Sequence, residues 1–173
     1  MKRIAVTGPA GAGKSRLARE LSDALSIQVL HLDTLVWEPG WVRRPEADFK
    51  ELQRIELERE SWIVDAQPDS MLRQWFDAAD TIIFVDASPL QCLWRVGRRR
   101  LAGEAGPHVP AGSKPGPLHR SLLKFARWEW HYRWNVRPRL VAELEGRRET
   151  QRVVVLRGRT NGWLGDLLSG NSS

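Results

Sequence analysis

Apolar residues in this chain fall into five short runs, with helix-period stretches between them. The runs are Arg3-Ile4-Ala5-Val6-Thr7, Ile27-Gln28-Val29-Leu30-His31-Leu32-Asp33, Ser61-Trp62-Ile63-Val64-Asp65, Thr81-Ile82-Ile83-Phe84-Val85-Asp86 and Gln151-Arg152-Val153-Val154-Val155-Leu156. Each is rich in β-branched and aromatic residues and too short for a helix, so each predicts a strand. The fourth is the more apolar run and predicts a central strand. Between the runs, Leu17, Ala18, Leu21, Ala24 and Leu25 recur at helical spacing. So do Phe49, Leu52, Ile55 and Leu57, and then Leu90, Leu93, Trp94 and Val96. Each set predicts an apolar stripe turned inward. Residues 119–144 predict a helix broken or bent at Pro138. On it Leu122, Phe125, Trp128 or Glu129, and Tyr132 share one face, while Trp130 and Trp134 share another. Core packing, with arginines on the rim, is the expectation for these aromatics. Strands alternating with helices predict an α/β chain, an open parallel sheet with helices on both faces and right-handed crossovers.

Two stretches break the pattern. Trp37-Glu38-Pro39-Gly40-Trp41-Val42-Arg43-Arg44-Pro45 reads as a loop punctuated by proline and glycine. Residues 102–117 are dominated by glycine and proline, without periodicity. A long unpatterned segment behind an arginine-rich helix predicts a lid. The 173 residues therefore read as one domain, with an insertion at about 34–60 and a lid at about 95–120.

Composition narrows the chemistry. The one cysteine, Cys92, excludes an intrachain disulfide framework and a multi-cysteine zinc site. No apolar run reaches the length of a membrane span, and Met1-Lys2-Arg3 leads straight into the first strand, so a cytoplasmic protein without a leader peptide is expected. Net charge is +6, from 27 Lys and Arg against 21 Asp and Glu. That balance suits anionic partners, and most of the cations are arginines, whose planar fork matches phosphate.

The chemistry centres on Gly8-Pro9-Ala10-Gly11-Ala12-Gly13-Lys14-Ser15, which fits G-x-x-x-x-G-K-[ST] between a predicted strand and a predicted helix. The glycines let successive backbone N–H groups converge on one anion, and the helix N-terminus adds partial positive charge. Lys14, on what reads as an exposed loop, is expected to reach the β- and γ-phosphates, and the Ser15 hydroxyl to ligate Mg²⁺. Arg16 and Arg159, the latter in the loop after the last strand, are further nucleotide-binding candidates. Asp33 falls at the carboxyl end of the second predicted strand, the edge that lines the ligand crevice. There it orients or deprotonates an acceptor, holds Mg²⁺ through water, or caps a helix starting near Thr34. Asp65 and Asp86 end two later strands, and either fits the second carboxylate of a nucleotide–Mg²⁺ site. Trp37, Trp41, Arg43 and Arg44 could wall an acceptor by stacking and charge, or the tryptophans could close the core. Arg95, Arg98 and Arg99 are placed to neutralise a transferred phosphoryl group. The arginines interleaved with tryptophans after residue 119 keep open a second function, single-stranded nucleic-acid binding.

Several pieces together resemble the adenylate-kinase-like P-loop proteins often labelled topology modulation proteins. They are the phosphate loop, His31-Leu32-Asp33-Thr34-Leu35-Val36-Trp37 with Pro39-Gly40-Trp41, Trp62-Ile63-Val64-Asp65, residues 80–86, Cys92-Leu93-Trp94-Arg95-Val96 with Arg98, Arg99 and Arg100, and Arg137-Pro138-Arg139. The resemblance spans nearly the whole chain. It implies a three-layer P-loop NTPase fold of nucleoside-monophosphate-kinase type, strand order 2-3-1-4-5, ATP with Mg²⁺, and Asp65 as the carboxylate on the Mg²⁺ side. It implies phosphate transfer to a small acceptor, a nucleotide or nucleoside among the candidates. Two departures touch the acceptor side. Ala66-Gln67-Pro68-Asp69 stands where the family usually continues Gly-Asn-Tyr-Arg, and Trp75 stands where an arginine is expected, unless Arg73 replaces it.

Overall fold

The computed structural model describes residues 1–38, 42–68, 72–102, 118–157 and 163–169. The chain runs β1 (Arg3–Thr7), α1 (Lys14–Leu25), β2 (Val29–His31), α2 (Leu32–Val36), β3 (Trp37–Glu38), β4 (Val42–Arg43), α3 (Glu46–Leu57), β5 (Trp62–Ala66), α4 (Arg73–Ala78), β6 (Thr81–Asp86) and α5 (Pro89–Leu101). It continues with α6 (Leu118–His131), a π-helical turn (Tyr132–Val136), α7 (Arg137–Arg147), β7 (Arg152–Arg157) and α8 (Trp163–Ser169). The five long-range strands form one parallel sheet in the order β2-β5-β1-β6-β7. Counted alone, they run 2-3-1-4-5, the expected order.

Side chains alternate across the sheet, so its two faces hold two separate cores. Ile4, Val6, Ile63, Ile83 and Val85 pack with Leu17 and Leu21 of α1, Cys92 of α5 and Leu167 of α8. Ala5, Val64, Ile82 and Phe84 pack with Phe49 of α3, Trp75 and Phe76 of α4, and Leu140 and Leu144 of α7. Trp75 therefore belongs to the core. It meets Trp62 edge-on, with centroids 5.0 Å apart and planes at 89°, a favoured aromatic geometry.

Several expectations are corrected. The second strand stops at His31, and Leu32 and Asp33 already lie in α2. Trp37–Pro45 is not all loop, because β3 and β4 pair antiparallel with Trp37 opposite Arg43. On α3 the buried positions are Phe49 and Gln53, and Ile55 is exposed; six residues from Phe49 is well off its face at 3.6 residues per turn. On α1, Ala24 is exposed. On α5, Cys92 turns inward, while Leu90 and Trp94 are 79% and 69% exposed. On α6, Trp130 is 71% exposed, and Trp134 in the π-helical turn is 63% exposed, so neither is core. The predicted bend at Pro138 falls just before it: proline cannot donate to the carbonyl four residues back, and the helix widens into the π-helical turn.

Candidate active site

The loop between β1 and α1 has the backbone its glycines allow. Gly8, Gly11 and Gly13 sit at φ +145°, +80° and +104°, conformations that L side chains rarely adopt. A Cβ at Gly8 would lie 2.4 Å from the Val85 carbonyl oxygen, and one at Gly11 2.9 Å from that of Cys92. The strand and helix beside the loop therefore exclude side chains there. Gly8→Ala is expected to cost at least about 1–3 kcal/mol of stability from the backbone alone. A thermal melt within error of the wild type would contradict this.

α1 starts at Lys14 with no side-chain cap on its first turn, which leaves helix N–H groups aimed out of the loop. Lys14 Nζ donates to the Pro9 carbonyl at 3.0 Å, and the Ala12 N–H donates to the same oxygen at 3.2 Å. Lys14 is not on an exposed loop, as its sequence context predicts; it is 7% exposed. α5 lies against the loop, with Cys92 beside Gly11. Arg95 Nη1 donates to the Ala12 carbonyl at 2.7 Å and to that of Gly11 at 3.3 Å. Arg95 thus clasps the loop from outside.

Two of the candidate acids lie in and just after the strands on one side of β1. Asp65 pairs in register with Val6 of β1 and with His31 of β2. It is 5% exposed, and its Oδ2 is 3.1 Å from His31 Nδ1. Asp33 is half-buried in the first turn of α2. His31 occupies the cap position, so Asp33 is neither the strand's last residue nor the N-cap. Asp65 does not end its strand as expected, since β5 runs on to Ala66, but Asp86 does end β6; it is bound by Arg137, which donates from Nε at 2.8 Å and Nη2 at 2.6 Å. Arg157 lies 3.4 Å away. Burial, the largest single influence, would raise the Asp86 carboxyl, but Arg137 together with Arg157 and Arg133 holds it below its ordinary range.

The remaining candidates are dispersed. Arg44 clamps the β3–β4 hairpin through the Leu35 carbonyl at 2.9 Å and Glu38 at 3.4 Å. Arg43 is exposed opposite half-buried Trp37. Arg16 is held by Glu20 at 2.7 Å. Arg98 lines an apolar groove between α5 and α6 with Trp94 and Leu123, and Arg99 is half-buried. Arg73 lines a cavity of about 280 Å³ with Pro68, His131, Asn135, Arg139 and Glu143. Trp41, Arg159 and residues 103–117 of the expected lid lie outside the described residues.

Two residues near the loop escape sequence reasoning. His31 becomes visible only through the strand register that sets it beside Asp65. Glu129 sits on the inward face of α6, 3% exposed, with no hydrogen-bond partner for either carboxylate oxygen among the described residues. An acid among aromatics at helical spacing was the one available signal.

Among the described residues no group of three or more His, Cys, Asp and Glu could hold a metal unaided, and no helix is long and apolar enough to cross a membrane. A cation here would need phosphate oxygens as further ligands, the common arrangement for Mg²⁺.

No protein-family model matches the chain, and no curated protein matches it in sequence. Solved structures do match. A shikimate kinase from Acinetobacter baumannii, in complex with shikimate, aligns over 99% of this chain and 94% of its own at 15% identity and TM-score 0.54. TT1252 from Thermus thermophilus covers 98% and 97% at 16% identity and TM-score 0.52. An unliganded sugar kinase from Janibacter sp. covers 98% and 93% at 13% identity and TM-score 0.52. At such identities the likeness is one of fold: the chain has the three-layer α/β architecture of P-loop kinases over nearly its whole length.

Proposed function

We propose that the chain binds ATP with Mg²⁺ and transfers the γ-phosphoryl group to a small anionic acceptor, in the manner of the adenylate-kinase-like proteins it resembles. The observation that carries this is the loop itself: three glycines with positive φ, a buried lysine turned back into the loop, and an uncapped helix start beneath it. Nothing in the packing of a β-strand against a helix calls for that combination, whereas a phosphate chain does. Mg²⁺, when bound, neutralises charge developing on the transferred group. Ser15 and Asp65 are the residues assigned to hold it, and His31 fixes the Asp65 carboxylate. Lys14 supplies the fixed positive charge, and Arg95 keeps the loop closed around it. Asp33 takes the acceptor's hydroxyl proton or orients that hydroxyl. The acceptor's anionic end is assigned to the cavity between α4 and α7, where Arg73 and Arg139 face one acid, Glu143. A transfer screen with γ-labelled ATP tests this. Label is expected on a hydroxyl compound bearing carboxylate or phosphate, and transfer that favours uncharged acceptors would overturn the acceptor assignment.

One observation favours a second reading, a nucleic-acid surface. Trp128, Trp130 and Trp134 are exposed beside Lys124, Arg127 and Arg133, rather than packed in the core. Exposed aromatics between cations stack bases and track phosphates. If that surface is used, Trp130→Ala with Trp134→Ala should weaken binding of a single-stranded oligonucleotide by about 1–3 kcal/mol per stacked base. Affinity should also fall steeply with salt. Equal oligonucleotide affinity in wild type and double variant removes this reading.

A further inference from the structure

We propose that Glu129 is a positioning residue of the phosphate site, coupled to it through a proton: the carboxyl group binds one proton when nucleotide binds. The inference rests on the nucleotide-binding reading above and adds its regulation. The geometry is unusual. Glu129 projects from α6 into the protein, 3% exposed, with both oxygens unpartnered. An ionised carboxylate left that way is costly unless a proton or a cation relieves it. The cation acting on it is Lys14, whose ammonium group is held by the Pro9 carbonyl and forms no ion pair with Glu129 among the described residues. The other titratable groups in its field are the Cys92 thiol from α5 and the Tyr132 phenol one turn on. Arg95 acts on Cys92, and Asp86 and Arg137 act on Tyr132.

Of Glu129, Cys92 and Tyr132, only Glu129 changes charge near neutral pH. Burial pushes its carboxyl up, against the pull of Lys14, to about 7. Burial pushes Cys92 up to about 12 and raises Tyr132 above its ordinary range. A phosphate chain on the loop would draw on the Lys14 charge that now favours ionised Glu129 and would add negative charge beside it. Both effects favour the protonated acid. Coupling of this kind is reciprocal, so protonation of Glu129 must also tighten phosphate binding.

Isothermal titration of the full chain with ATP and Mg²⁺, from pH 6 to 8.5 in two buffers of different ionisation heat, tests the coupling. Above pH 7 the wild type should take up close to one proton on binding, and its affinity should fall by up to about tenfold per pH unit. Glu129→Gln mimics the neutral acid. It should lose that uptake and bind more tightly than the wild type at pH 8.5. The nucleotide's own titration is common to both proteins and cancels in the comparison. Equal proton uptake and equal pH slopes would overturn the inference while leaving nucleotide binding intact. No binding by the wild type at any pH would instead remove the nucleotide reading itself. If Glu129→Gln does not fold, carboxyl ¹³C shifts of the wild type decide. A Glu129 midpoint near 7 that rises with nucleotide supports the proposal, and one near 4 contradicts it.

Discussion

Lys14→Ala is expected to weaken nucleotide binding by about 10²–10³-fold, the scale of losing one preorganised partner for phosphate charge, while the fold persists. The loop does not depend on the lysine for its shape. Its glycines keep their conformations because β6 and α5 lie against Gly8 and Gly11, and the Ala12 N–H still satisfies the Pro9 carbonyl. Alanine is also the best residue for a helix interior, and the variant position is the first of α1. The change does vacate space, because Lys14 is buried, so a modest drop in melting temperature is expected. Calorimetric titration beside a thermal melt separates the two effects. Undiminished affinity in a folded variant would show that the lysine does not meet phosphate.

The same variant leaves Glu129 without the cation that acts on it, so its carboxyl should titrate higher still. The sign for stability follows. A carboxyl raised in the folded state contributes stability below the unfolded value, about 4.3, and that contribution is lost as pH rises through about 7. Glu129→Gln should therefore melt higher than the wild type at pH 8, with the difference shrinking toward pH 5. A difference that does not vary with pH would mean that Glu129 does not titrate in this range.

Asp33→Asn is expected to lower phosphate transfer by about 10²–10⁴-fold, the usual worth of acid–base assistance, with ATP affinity nearly unchanged. Asparagine keeps the side chain's size and loses its charge. The competing role is narrower than the sequence allows, because Asp33 lies in the first turn of α2 and His31 takes the cap position. A purely structural Asp33 would favour the start of α2 through the helix dipole, about 0.3–1 kcal/mol, without affecting transfer. Normal transfer together with such a small stability loss would remove Asp33 from the acceptor side. Steady-state kinetics of both proteins, with a melt of each, distinguishes the two outcomes.

The parts legible in the sequence are those with local physical causes. Five strands, their parallel alignment and the phosphate loop follow from short apolar runs, helix-period stretches between them and glycines at fixed spacing, whereas the strand order was implied by the family resemblance alone. Trp75 was harder. Set against a family pattern it looks like a lost arginine, but in space it fills the core against Trp62, and Arg73 is the residue that lines the cavity. The buried faces of α5 and α6 are not legible, because apolar periodicity identifies a face without saying which face meets the sheet. On α5 both Cys92 and Leu90-Trp94 satisfy it, and only the first is buried. The β3–β4 hairpin is two residues per strand, below the length at which alternation can be read. Glu129 and the His31–Asp65 contact depend on residues more than 30 positions apart in the chain, a separation that no local pattern reports.

The most direct measurement is a titration of the wild-type chain with ATP, with and without Mg²⁺. Saturable binding at one site per chain, strengthened by Mg²⁺ and abolished by excess inorganic triphosphate, is the result that a phosphate loop carrying Lys14 and Ser15, with Asp65 on the neighbouring strand β5, requires. No binding at millimolar ATP in either condition would contradict it.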